Sequence, residues 1–520
     1  MCQHTTEERL LSNDDERLED YGSASSGHAP RKLPRRQIGV VSAVFIIFNR
    51  IIGTGIFATS STILRFSGSI GMSLVMWLIG ALKAASGMQV YIIWGIALPF
   101  NGGDKNYLEY LFPTPRRLAT SVYAANAVLL AYAAGNSLVF AEYTSSLLGN
   151  SAPNSSSWIP PVRLLAGFCL TFAFLLHGLH IPAGLRLQNI LGMLKIAILI
   201  VVIGTGYIAF NGHLQPGVER ARNFESWDKI WEGTTASGSV FCTCLYNVIW
   251  CYIGFSNANY VLSEMHNPRR TLRIAGPVAL TIVTVAYVLC TLSYYAAASK
   301  EDIIGSGRLV AALMFRNVWG EKAERALSGF IALSALGNVL STPFSQGRVN
   351  QELGKEGILP FSEFWMSDWP ARAPLAGLGL HWAVCNIVIF ALPEGDAFDF
   401  VLNVLSYSHA IINATISLGL IHLAFRDVPP SQSDFQSQSS MRPTFSPTVL
   451  LLLPSVVFAS ASIFLFVMPL VPPSADAIPY KYLPYWAHAV GGWGVCFLGV
   501  VWWWFYGKLE NSSRYTQWEI

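Results

Sequence analysis

The segment FIIFNRIIGTGIFATSST, residues 45–62, lies inside the first long apolar run of the chain. At Gly53-Thr54-Gly55 it sets two glycines and a hydroxyl where a membrane span should be most regular, and each glycine weakens a helix by roughly 1 kcal/mol relative to alanine. Two readings account for an interruption there. Small residues let neighbouring membrane helices approach closely. Alternatively, the helix breaks so that freed backbone groups can bind a ligand.

That the run is a membrane span follows from composition. The 520 residues are 52% hydrophobic, 13% aromatic and only 12% charged, with a mean hydropathy of +0.42. This is too apolar and charge-poor for an ordinary soluble domain. Apolar runs of roughly 20 residues or more mark helices, since barrel strands would alternate over ten-residue segments. Twelve such runs predict spans near 38–60, 70–98, 118–148, 162–180, 187–211, 236–262, 275–299, 326–347, 376–393, 399–422, 446–470 and 485–506. The expected fold is an all-α membrane protein with twelve transmembrane helices. Residues 1–37 are polar, mixed in charge and without an apolar core, which predicts a disordered tail with no cleavable signal before the first span. Residues 507–520 read as a C-terminal tail.

With the N-terminus in the cytosol, the tails and inner loops hold 20 of the 34 Lys and Arg residues, so both termini are expected inside. The net charge of +3 has this topological source and does not point to a nucleic-acid partner. Seven of the eight cysteines fall in predicted spans and Cys2 in the tail, leaving none to cross-link an outer loop. Cys242 and Cys244 lack the companion ligands of a metal site, and His177 and His180 at the inner end of the fourth span read as interfacial. No metal cluster or nucleophile–base pair points to an enzyme, and no cofactor is expected.

A second segment, TCLYNVIWCYIGFSNANYVLSE at 243–264, repeats the anomaly: Gly254 is followed by Ser256, Asn257 and Asn259 at mid-depth of the sixth span. Transporters built from inverted repeats place their site at paired broken helices near the midplane, and spans one and six correspond in two five-helix repeats. Packing alone predicts no such pairing. Amides freed at the start of an outer half-helix can hold a carboxylate, and freed carbonyls can hold an ammonium. Together these suit an amino-acid zwitterion.

IGTGIF at 52–57, GGDKNYLEY at 102–110, SNANYVLSEMHNPRRTL at 256–272 and ELGKEGILPFSEFW at 352–365 carry a resemblance. In order and spacing, the chain resembles the amino acid–polyamine–organocation superfamily, specifically fungal high-affinity methionine permeases related to the L-type amino acid transporters. The resemblance covers about residues 38 to 425, more loosely the last two spans, and implies a LeuT-like fold. Spans one to five and six to ten would form inverted repeats in a core at 38–425, with an inner loop and two peripheral helices at 426–506. It implies that the amides around Thr54, Gly55 and Ile56 meet the substrate carboxylate, with Gly53 among the substrate-binding residues. Carbonyls near Ile51, Trp250 and Ile253, beside Gly254, would meet the amino group. Trp250 stands at the place of an aromatic gate, and Phe255 where many relatives have Trp; packing is the alternative for each. Glu264 matches a carboxylate that the resemblance places in an inner gate, with interfacial solvation as the alternative.

Three basic residues fall within spans. Lys195, in LQNILGMLKIAILIV, lies eight residues beyond the inner end of the fifth span, about 12 Å of helix rise, which strains snorkelling to the interface. The resemblance implies instead that its ammonium occupies a sodium-like position between the first-span break and eighth-span polar residues such as Asn338 or Ser341. Proton coupling without sodium would be the consequence. Lys83, near the middle of the second span, has no partner in the sequence reading, and Ile93 stands where relatives often carry Glu. Arg50 is expected to be a gate partner or to snorkel inward.

The sequence thus points to a secondary transporter of neutral amino acids, most of all L-methionine, in the plasma membrane. A nutrient sensor that binds without transport is the alternative. A pocket of Trp250, Phe255 and apolar neighbours favours unbranched side chains and thioethers. L-type relatives that need a glycoprotein subunit attach it through a cysteine between spans three and four. Here that loop, GNSAPNSSSWIPPV, has none, so no disulfide-linked heavy-chain partner is expected. Its Asn154 sequon should be outside, and that at Asn511 inside.

Overall fold

Glycine, proline and short polar residues punctuate the apolar runs, and they cap the helices that result. Ser69 accepts from Met72 N, Ser237 from Val240 N, and Asn267 from Arg270 N with Pro268 in the first turn. His180 does the same through Nδ1, 3.1 Å from Ala183 N, which makes it a helix cap. His177 is buried against Phe344, ring centroids 4.9 Å apart.

The computed structural model describes residues 38–130, 132–148, 161–235, 237–359, 361–367, 369, 373–393, 395–425, 448–473 and 478–516. The predicted tail at 1–37, the sequon at Asn154 and most of the inner loop at 426–447 lie outside the described residues.

The first span is three pieces: α1 (Val40–Ile51), α2 (Gly55–Ala58) and α3 (Ser60–Ser67). The second is α4 (Ile70–Ala97), followed by the short α5 (Asp104–Leu111). The third is split into α6 (Leu118–Leu129) and α7 (Ala134–Leu147), where the sequence predicted one continuous helix. Then come α8 (Pro161–Leu179), α9 (Ile181–Phe210), the short α10 (Trp227–Trp231) and α11 (Gly238–Tyr252). A 3-10 helix, Asn257–Glu264, completes the sixth span. The second half holds α12 (Pro268–Ala297), α13 (Lys300–Gly305), α14 (Val310–Trp319) and α15 (Glu321–Lys355). It ends with α16 (Ser362–Met366), α17 (Leu375–Ala391), α18 (Ala397–Phe425), α19 (Val449–Val467) and α20 (Ala487–Thr516).

Among the described residues, eleven helical spans are long and apolar enough to cross a bilayer. The ninth expected span, α17, has 17 residues and about 26 Å of rise, short of the ~30 Å hydrocarbon core, so it stands apart from those eleven. The chain is an all-α membrane protein. The last helix runs on to Thr516, beyond the expected end of the span at 506.

The interrupted spans lie at the centre of the packing. α1 packs on α12, α3 on α11, and α15 on both α7 and α9. The last two spans are peripheral: α19 packs on α4 and α18, and α20 on α6 and α18. Outward faces are apolar, with Ile190, Met193, Tyr207, Val449 and Leu450 exposed, as a helix bundle in lipid requires.

Candidate functional site

Both expected breaks are present, and they differ. Ile52 is extended (φ −71°, ψ 102°) and its N–H still bonds the Phe48 carbonyl at 2.9 Å; α2 then begins after Thr54. The first turn of α2 lacks helical acceptors for its amides, among them Gly55 and Ile56. In the sixth span α11 ends at Tyr252, Ile253 leaves the helix (φ −57°, ψ 129°), and Gly254 has φ +115°, a conformation open in practice only to glycine. Beyond this break the chain enters the 3-10 helix, which bends again at Val261. Asn259 contributes to this: its amide donates to the Tyr91 carbonyl at 2.6 Å and to Tyr107 Oη at 2.7 Å.

The two breaks are tied together by a residue that sequence reasoning missed. Tyr287 Oη, on α12, lies 3.0 Å from the carbonyls of both Ile51 and Cys251. One phenol thus covers the C-terminal ends of the half-helices α1 and α11, and its ring is wedged against Trp77 and Tyr252 at 5.5 Å. Ile51 O, expected to face an ammonium, therefore already has a donor, and Trp250 O accepts from Ile253 N at 3.3 Å. Nothing in the pattern around Tyr287 separates it from a packing aromatic.

Lys195, 4% exposed, brings its ammonium to the first break. Nζ is 3.2 Å from the Ile52 carbonyl and also donates to Asn338 Oδ1. This ties α9, α1 and α15 at one point. Ser341, expected alongside, donates instead to the Asn338 carbonyl of its own helix at 3.1 Å. Asn338 Nδ2 is buried with no hydrogen-bond partner among the described residues and stands 3.0 Å from where a Cβ on Gly53 would lie. Arg50 donates to Thr342 Oγ1 at 3.1 Å, one further contact between α1 and α15.

On the other side of the break, Thr54 donates to Asn136 Oδ1 on α7 at 2.8 Å. Gly55 lies against α11: a Cβ there would stand 2.6 Å from Cys251 Sγ and 3.2 Å from its Cα. Close packing is thus one reason for this glycine. Ile56 is fully buried, and Thr59 Oγ1 bonds Gly55 O and Cys251 Sγ. Trp250 is half-buried and lays its ring over Gly135 beside Phe398. Phe255 is packed edge-on to Tyr91 and Phe458, 5.6 and 6.1 Å between centroids, which is the packing alternative for that ring. Glu264 ends the 3-10 helix, and its side chain lies outside the described residues.

Lys83, also 4% exposed, lies 4.5 Å from the Phe458 ring centroid, and among the described residues no carboxylate meets it. A cation over a ring face gains about 2 kcal/mol when desolvated, against roughly 2.5–3.5 kcal/mol for a charge at bilayer centre. Beyond the second span, on the short α5, Asp104 of the GGDKNYLEY motif is buried and accepts from Tyr91 Oη and, at 2.8 Å, from Tyr260 Oη. Tyr91 also bonds Asn413 Oδ1 at 3.0 Å. This cluster joins α4, α5, the 3-10 helix and α18.

Comparison with known proteins points the same way. The amino acid permease profile matches residues 38–495. The high-affinity methionine permease of Saccharomyces cerevisiae is 40% identical over 471 residues, 90% of this chain and 79% of that protein. The low-affinity methionine permease of the same yeast is 32% identical over 400 residues, 75% of this chain and 71% of that one. The b(0,+)-type amino acid transporter 1 of Mus musculus is 25% identical over 472 residues, covering 90% and 88%.

Proposed function

The chain belongs to the amino acid permease family, and from that premise we propose that it imports L-methionine, driven by protons and independent of sodium, by alternating access. The observation that carries the coupling is the Lys195 ammonium at the Ile52 carbonyl of the broken first span. A fixed cation there repels sodium and supplies its charge, while loss of its proton would release the contact once per cycle. Methionine is favoured because the two yeast permeases similar to this chain act on it. The zwitterion would bind between the amides of Gly55 and Ile56 and the carbonyls of the two breaks. We take the protein to act in the plasma membrane with both termini in the cytosol and without a disulfide-linked heavy chain.

The test is methionine uptake into vesicles holding the purified chain, under an imposed proton gradient, with and without sodium. Wild type, Lys195→Ala and Lys195→Arg are compared. Accumulation that is sodium-independent in wild type and lost in Lys195→Ala is expected. A strict sodium requirement would sink the ion-replacement reading, and undiminished uptake in Lys195→Ala would return that lysine to structure. Binding without accumulation would favour the nutrient-sensor alternative, which Lys83, met by a ring rather than a carboxylate, and Ile93 keep in view.

A further inference from the structure

One loop at the mouth opposite the Asp104 cluster is pinned from three sides. It runs between α13 and α14, residues 306–309. Arg308 makes a forked pair with Glu142 on α7: Nε lies 2.9 and 2.7 Å from the two carboxylate oxygens, and Nη2 2.5 Å from Oε1. The same guanidinium covers the Phe398 ring on α18, 4.8 Å from its centroid. The Arg308 carbonyl accepts from Tyr143 Oη at 2.9 Å, and that hydroxyl also reaches the Phe57 carbonyl of α2 at 3.2 Å. The Gly307 carbonyl accepts from Ser61 of α3. The loop therefore bridges the third span, the tenth, and the half of the first span that lies beyond its break.

We propose that Arg308 and Glu142 are positioning residues of the transport reaction, the latch that holds the outer mouth shut over the broken first span. The assignment of this mouth as outer rests on the orientation proposed above. The loop joins α3, α7 and α18, and through Tyr143 of α7 it is tied to α2, which begins at Gly55. A forked guanidinium–carboxylate pair is directional and holds one geometry. Its side chains are 23% and 20% exposed, so water can solvate both charges when the pair parts, and opening leaves no stranded ion. A fully buried pair would lock the mouth; this one can cycle.

The experiment places a reporter beneath the loop. Ser61 is 3% exposed, so the Ser61→Cys chain is compared with and without Glu142→Gln, the native cysteines being common to both. A membrane-impermeant thiol reagent is added to one face of the membrane at a time. Glu142→Gln should speed labelling from outside about ten-fold, the factor that corresponds to ~1.4 kcal/mol. Arg308→Gln should do the same, and the exchanged pair Glu142→Arg with Arg308→Glu should restore slow labelling. Equal rates with and without the pair, from either face, would overturn the latch, as would failure of the exchanged pair to slow labelling. Acceleration from the inner face alone would overturn the proposed orientation instead.

Discussion

At the scale of single residues, Gly55 and Gly254 interrupt their spans for different reasons. Gly254 is needed for its backbone, with φ +115° and the Arg50 side chain crowding the place a Cβ would take. Gly55 is needed for close approach, with Cys251 directly against it. Gly55→Val is expected to abolish methionine uptake, since forcing added carbons into such a contact costs roughly 1–3 kcal/mol and displaces the break. The smaller Gly55→Ala should lower uptake, and Cys251→Ala should recover much of the loss by removing the nearest atom. No recovery in the double variant would assign the glycine to the ligand rather than to packing. The glycines themselves stand out in the sequence, because two helix breakers so close together in an apolar run work against a continuous span. Their neighbours do not stand out: Cys251 lies 196 positions from Gly55, and Tyr287 is one of several tyrosines in an apolar helix.

At the scale of elements, the inner half of the sixth span is held by side chains that leave it. Tyr260 bonds Asp104 at 2.8 Å, and Asn259 bonds Tyr91 and Tyr107. Hydrogen bonds to a charged acceptor contribute about 1.5–3 kcal/mol, so Tyr260→Phe should loosen this segment while keeping its ring. Amide exchange across residues 257–264 should quicken about ten-fold or more, as the loss of ~1.4 kcal/mol per decade implies. Unchanged exchange would mean that the 3-10 helix is held by its apolar contacts alone. The division of the third span into α6 and α7 was not legible in the sequence. AVLLAYAAG reads as continuous helix, and the interruption lies where Tyr132 meets His409 of α18, ring centroids 6.1 Å apart. Tertiary contact overrides local preference there.

At the scale of the whole molecule, the orientation of the bundle is open to direct test through the sequons in its predicted outer loop and C-terminal tail. Asn154 should carry a glycan and Asn511 should not, read as a single glycosidase-sensitive shift in mobility that Asn154→Gln removes. A glycan at Asn511 would reverse the topology. The sequence alone determined the solvent of this protein, the helical class, most span positions and the two interruptions. Hydropathy and helix breaking are local quantities, summed over about twenty neighbours at a time. The resemblance added the expectation that Lys195 and Asn338 meet, and the structure brings them into contact. Only the tertiary structure decided that Tyr287 joins the two breaks, that Phe255 packs with Tyr91 and Phe458, that Ser341 bonds its own helix, and that Arg308 reaches Glu142. Each of these depends on the rotation of one helix about its axis against another. An almost uniformly apolar surface leaves that rotation undetermined in sequence, and interdigitated side chains set it in the folded bundle.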